Sequence, residues 1–139
     1  MKKISILFVT IVLFFTGCQE TSDTSIMTLQ EVLSALEEEQ LSLREIDISS
    51  NNIFGMKLHG TLPSSYNIDG KTFLIYVFSS TEEREKGLED FRKKTEDSNT
   101  VSYKVYEVKN MLFFYVFESD LSEEINNKIQ NGISKLTVD

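Results

Sequence analysis

Cys18 and His59 are each the only residue of their kind in the chain, and they carry most of its reactive chemistry. A thiolate is a nucleophile and a soft metal ligand, and an imidazole carries protons near neutrality. Neither has obvious companions. A zinc site usually draws on four Cys, His or carboxylate ligands, so one histidine and one cysteine do not make a conventional site. A hydrolase built on His59 would also need a nucleophile and an orienting acid. No GxSxG elbow or phosphate-binding glycine loop supplies them. Asp47, Ser49 and Asn51 match the first three ligand positions of a calcium loop, but Asn52 stands where the loop needs Gly and Leu58 where it needs Glu. That segment reads as a turn, and no metal or cofactor is expected.

The other chemically distinctive group is aromatic. Tyr66, Tyr76, Tyr103, Tyr106 and Tyr115 are large, with an apolar body and a polar tip, the type enriched where proteins meet partners. Tyr76 and Tyr115 lie in apolar runs and are expected in the core. Tyr103 and Tyr106 are three apart on a predicted strand and so face opposite ways. Phe54, Met56, His59, Tyr66, Tyr103 and Tyr106 form the candidate binding surface. It centres on a segment from Phe54 to Tyr66 in which Gly, Pro and Ser interrupt apolar residues, as in a loop that adapts to a ligand.

The setting of Cys18 decides its chemistry. Lys2 and Lys3 precede an apolar stretch from Ile4 to Phe15, and small residues Thr16 and Gly17 come just before the cysteine. This is the layout of a signal peptide. Counted through Gly17 the stretch is 14 residues; at ~1.5 Å per residue it reaches about 21 Å of a roughly 30 Å hydrocarbon core, short for a permanent span. The order Phe15-Thr16-Gly17-Cys18 resembles the lipobox of bacterial lipoproteins, although that family most often has Leu where Phe15 stands. The resemblance covers only the first eighteen residues. It implies cleavage before Cys18, acylation of its sulfur, and attachment to the extracytoplasmic face of the cell membrane. A lone cysteine in an exported chain cannot form an internal disulfide, which agrees with an attachment role. Two acyl chains give stable anchoring where one gives only reversible contact.

The expected organisation is a signal peptide over 1–17, a lipidated cysteine and tether over 18–27, and a domain over 28–139. Loss of the leader removes Lys2 and Lys3, leaving 12 basic against 22 acidic residues. So acidic a body is repelled by phosphate backbones and anionic headgroups, so nucleic acid is not an expected partner.

Thr28 and Glu31 have capping-box spacing, and Leu29, Val32, Leu33 and Leu36 share one face, predicting a helix from Leu29 to about Glu39. The acidic run Glu37 to Glu39 at its end reads as a solvated face. Leu41, Leu43, Ile46 and Ile48 alternate with a one-residue shift, predicting a strand bulged near Arg44 and Glu45. Asn51 and Asn52 predict a turn, and Ile53 to Leu58 a weak strand. Two hairpins follow, one over Ser65 to Phe78 about Asp69-Gly70 and one over Val101 to Phe117 about Lys109-Asn110. Ser80 and Glu83 open a charged helix to about Thr95, and Asp120 with Glu123 a last one, whose inward face is Leu121, Ile125, Ile129, Ile133 and Leu136.

Phe73 to Phe78 and Leu112 to Phe117 read alike, each after a turn and before a helix. This fits a repeated strand-strand-helix unit, and equally the shared alphabet of buried strands. The fold class expected is α+β: a two-layer sandwich with a mainly antiparallel sheet of four to six strands and three helices. Function is expected to be non-catalytic binding of an envelope protein or peptide by a membrane-anchored domain. An envelope hydrolase or ligand carrier using His59, and an immunity or inhibitor protein, remain as alternatives.

Overall fold

The computed structural model describes residues 26–137. The signal peptide, Cys18 and most of the tether therefore lie outside the described residues. The elements follow in the order α1 (Leu29–Glu38), β1 (Arg44–Glu45), β2 (Ser64–Ile68), β3 (Lys71–Val77), α2 (Thr81–Thr95), β4 (Ser102–Val108), β5 (Met111–Glu118) and α3 (Glu123–Lys135). The fold is α+β, with five strands in the order β1-β2-β3-β5-β4, every neighbouring pair antiparallel.

Local chemistry accounts for most element boundaries. Thr28 Oγ1 accepts from Glu31 N–H while the Glu31 carboxylate accepts from Thr28 N–H, closing a full capping box on α1. Asp69 and Gly70 both have positive φ, 50° and 80°, as a two-residue hairpin turn requires, so β2 and β3 pair in register from Ser64↔Ile75 to Ile68↔Lys71. The last helix is capped by Ser122, whose hydroxyl accepts from Ile125 N–H, two residues beyond the expected start at Asp120. Ile53 to Leu58 is a chain of turns instead of a strand; Leu58 makes only an isolated bridge to Thr61.

Both faces of the sheet are covered. Phe73, Ile75, Phe113 and Tyr115 pack with Val32 and Leu36 of α1 and Ile129 and Ile133 of α3. Leu74, Tyr76, Leu112 and Phe114 pack on the opposite face with Leu88 and Phe91 of α2 and with Phe54 and Leu58. The sheet is thus a middle layer, where the sequence led to a two-layer arrangement with helices on one side. The chain changes face at the β1 edge: Leu41 and Leu43 join the α1/α3 core, while Ile48, Ile53, Phe54, Met56 and Leu58 join the other. The one-residue shift in the 41–48 pattern marks this crossing, and only Arg44 and Glu45 form ladder pairs there. We call residues 48–58 the strap.

The two similar strings do not face alike. Phe73 belongs to the α1/α3 core and its counterpart Leu112 to the α2 core, and the helices that follow them cover opposite faces.

Two close approaches fix the helices. A Cβ on Gly132 would lie 3.0 Å from Leu36 Cδ2, so the missing side chain lets α1 and α3 meet. A Cβ on Gly87 would fall against the Phe78 ring, which lies over α2 at that point. Lys135 pairs with Glu38 and Glu39, supplying the cation that the acidic end of α1 lacks in its own last turn.

Candidate functional site

The strap and the turn after it hold Phe54, Met56 and His59. Leu58 and Thr61 exchange both backbone hydrogen bonds at 2.9 Å, so His59 and Gly60 form a tight turn with φ of 45° and 82°. This turn aims the His59 N–H at α2, where Asp90 Oδ2 accepts it at 2.8 Å. The imidazole Nε2 lies 2.9 Å from Glu83 Oε2. Lys94 then bridges the two elements, with Nζ 2.9 Å from both Asp90 Oδ2 and the Lys57 carbonyl. On the sheet side, Tyr76 Oη donates to the Met56 carbonyl at 2.8 Å. The strap is therefore fastened to α2 and to β3 through its backbone.

These contacts explain why the Ser80–Glu83 capping box is half formed. Ser80 Oγ accepts from Glu83 N–H at 3.0 Å, but the Glu83 carboxylate is engaged by His59 and by Lys86 at 3.3 Å. Burial alone would raise the Asp90 carboxyl, yet the His59 N–H and the Lys94 ammonium outweigh it and hold it below its usual range. His59 joins loop and helix, and Ser80, the N-cap of α2, has its hydroxyl oxygen engaged by the Glu83 N–H.

The expected binding residues do not form one surface. Phe54 is buried, with its ring centroid 5.4 Å from Tyr103 and 6.1 Å from Phe91. Met56 and Tyr103 pack beside that α2-face core, and His59 is exposed at its margin. Tyr66 and Tyr106 are buried in the α1/α3 core on the other face. Tyr106 Oη donates to Asn126 Oδ1 at 2.6 Å, and burial pushes its phenol well above the ordinary value. Tyr66 is raised by burial first and by the Glu45 carboxylate second. Tyr76 and Tyr115 are core residues, on opposite faces. From Phe54 to Leu58 the Phe54–Tyr66 segment packs over the sheet, where the sequence suggested an adaptable loop; His59, Gly60 and Leu62 are exposed, and from Ser64 the chain is β2 itself.

Asn110 reads in sequence only as part of a turn. Its side chain is buried: Oδ1 accepts from Met27 N–H at 2.8 Å, and Nδ2 donates to the carbonyls of Met27 at 3.0 Å and Phe78 at 2.9 Å. Met27 is thereby part of the folded body, whereas the tether was expected to run through it. Contacts 83 and 32 residues apart leave no local signal beyond an asparagine in a hairpin turn.

Among the described residues no group of three or more His, Cys, Asp and Glu is arranged to hold a metal ion. No helix among them is long and apolar enough to cross a membrane. Comparison with protein-family models, curated proteins and solved structures gave no match.

Proposed function

We propose that this chain is a lipoprotein held on the extracytoplasmic face of a bacterial cell membrane through acyl chains on Cys18, and that its folded part binds another envelope protein or a peptide without catalysing a reaction. The observation that carries this reading is the sole cysteine, placed directly after a cationic start, an apolar stretch and two small residues. The clamp on Met27 adds support, because it puts the first anchored residue of the body nine positions after Cys18. At ~3.3 Å per residue the intervening chain reaches at most about 30 Å, a short lead for a membrane-bound body. An acidic folded part would be repelled by anionic headgroups, which favours partners that are cationic or neutral.

The test is metabolic labelling with an alkyne fatty acid in a bacterial host, followed by intact-mass measurement. The expected outcome is label on the wild-type chain, a mass lacking residues 1–17, and neither label nor membrane retention in Cys18→Ser. A wild-type chain that keeps its leader, or carries a free thiol at Cys18, would sink the anchorage.

A further inference from the structure

Where the strap crosses the end of the sheet it leaves a cavity of about 380 Å³ on the α2 face. This falls within the ~300–1,000 Å³ of ordinary ligand sites and is ample for one large side chain. Its floor is apolar and fixed. Phe54 and Val116 are nearly buried there, and Ile53 continues the surface. The Phe54 N–H donates to Asn52 Oδ1 at 2.9 Å and its ring is wedged against Tyr103, so the wall is set before any ligand arrives. Gly55 reinforces this, since a Cβ there would collide with the Ser49 carbonyl; the strap is folded tightly on itself.

The rim has a different chemistry. Val101 is 49% exposed, one of the few large apolar side chains left in water among the described residues. Thr72 and Asn99 offer hydroxyl and amide groups without a hydrogen bond to another described side chain. Glu118 is the one ionisable residue on this lining, at the exposed end of β5. An apolar floor calls for a large apolar group, neutral donors and acceptors suit peptide amides, and a single carboxylate selects for a neighbouring cation.

We propose that this cavity receives a large apolar side chain of an extended peptide whose adjacent residue is lysine or arginine, with that cation meeting Glu118. This rests on the peptide-binding reading above and names its site and its ligand. The acidic balance of the whole chain, 22 acidic against 14 basic residues, favours the same sign of partner.

The experiment is a titration of the ¹⁵N-labelled full chain in detergent micelles with a capped Ser-Phe-Lys-Ser peptide, its Ser-Phe-Glu-Ser counterpart, and phenethylamine as a free amine. The expected result is saturable amide shifts at Ile53–Phe54, Asn99–Val101 and Val116–Glu118 with the lysine peptide. Affinity should fall by about two- to five-fold for Glu118→Gln, as loss of an exposed ion pair warrants, and further for the glutamate peptide, which sets two carboxylates side by side. Val101→Ser, which removes the apolar contact without adding charge to the rim, should weaken all three probes. Glu118 and Val101 are exposed, so unchanged thermal midpoints will confirm that both variants fold.

Shifts confined to another surface would overturn this site and leave the binding function standing. Equal affinity of wild type, Glu118→Gln and Val101→Ser would overturn it as well, and phenethylamine binding as tightly as the peptide would replace the peptide by a small amine. No shift with any probe at millimolar concentration would overturn both the site and the peptide reading, while fatty-acid labelling reports independently on the anchorage.

Discussion

Asn110 secures two distant segments with one side chain, and it does so with each amide atom in its proper role: the oxygen accepts and the nitrogen donates twice. Removing it strands the N–H and C=O of Met27 and the C=O of Phe78 away from water. A buried group left without a partner costs roughly 1–3 kcal/mol, so Asn110→Ala is expected to lose about 2–4 kcal/mol after partial relaxation. Guanidinium unfolding should show a lower midpoint at an unchanged slope. A loss below about 0.5 kcal/mol, the range of an ordinary surface substitution, would mean that water or a rearranged Met27 replaces the clamp. In sequence this residue is an asparagine in a hairpin turn, and nothing within four residues of it reports its partners.

The attachment of strap to α2 is the feature of element scale with a pH dependence. Asp90 is held below the usual carboxylate range by the His59 N–H and Lys94, although burial opposes this. A group whose folded pKa is depressed contributes stability above its unfolded pKa, and that contribution is lost as pH falls through the folded value. Wild type and Asp90→Asn should therefore differ most near neutrality. The difference is about 0.2–1 kcal/mol for a partly exposed carboxylate, and it should begin to shrink as pH falls below ~4 and be gone only below the depressed folded value. Thermal melts of the two proteins between neutral and acid pH read this directly. A gap that stays constant or widens in acid would show that the carboxylate charge is not what holds the strap. The caps that local sequence announces are mostly present: the Thr28–Glu31 box is complete because both partners are three residues apart on one turn. Glu83 breaks the pattern because a residue 24 positions away takes its carboxylate, and no periodicity within α2 could report that. The same holds for Ile53 to Leu58, whose alternating apolar residues suggested a strand but which bends to fill the α2 face.

At the scale of the whole molecule, the apolar runs Phe73 to Phe78 and Leu112 to Phe117 announced strands inside the sheet, because both of their faces need cover. Which helix covers which face was not legible. That depends on the chain passing around the β1 edge between Leu43 and Ile48, and the crossing shows in sequence only as one residue out of step. The candidate binding residues suffered from the same gap: Tyr66 and Phe54 sit in one segment yet end on opposite faces.

Cover on both sides has a dynamic consequence. Amides of β3 and β5 open only when helices leave both faces and neighbouring strands separate, so their exchange should approach the free energy of global unfolding. Arg44 and Glu45 are exposed, in a two-residue strand with one neighbour, and should exchange through local fraying. Hydrogen exchange followed by mass spectrometry should therefore rank Leu74–Tyr76 and Phe113–Tyr115 slowest and β1 fastest, with β4 between them because its outer side lacks a strand neighbour. If β3 instead exchanges as fast as β1 at the same pH, the α2 face is opening independently. The strap with its His59 and Lys94 fastenings would then be a detachable cover, and the cavity beside Phe54 would lose the fixed wall on which its selectivity depends.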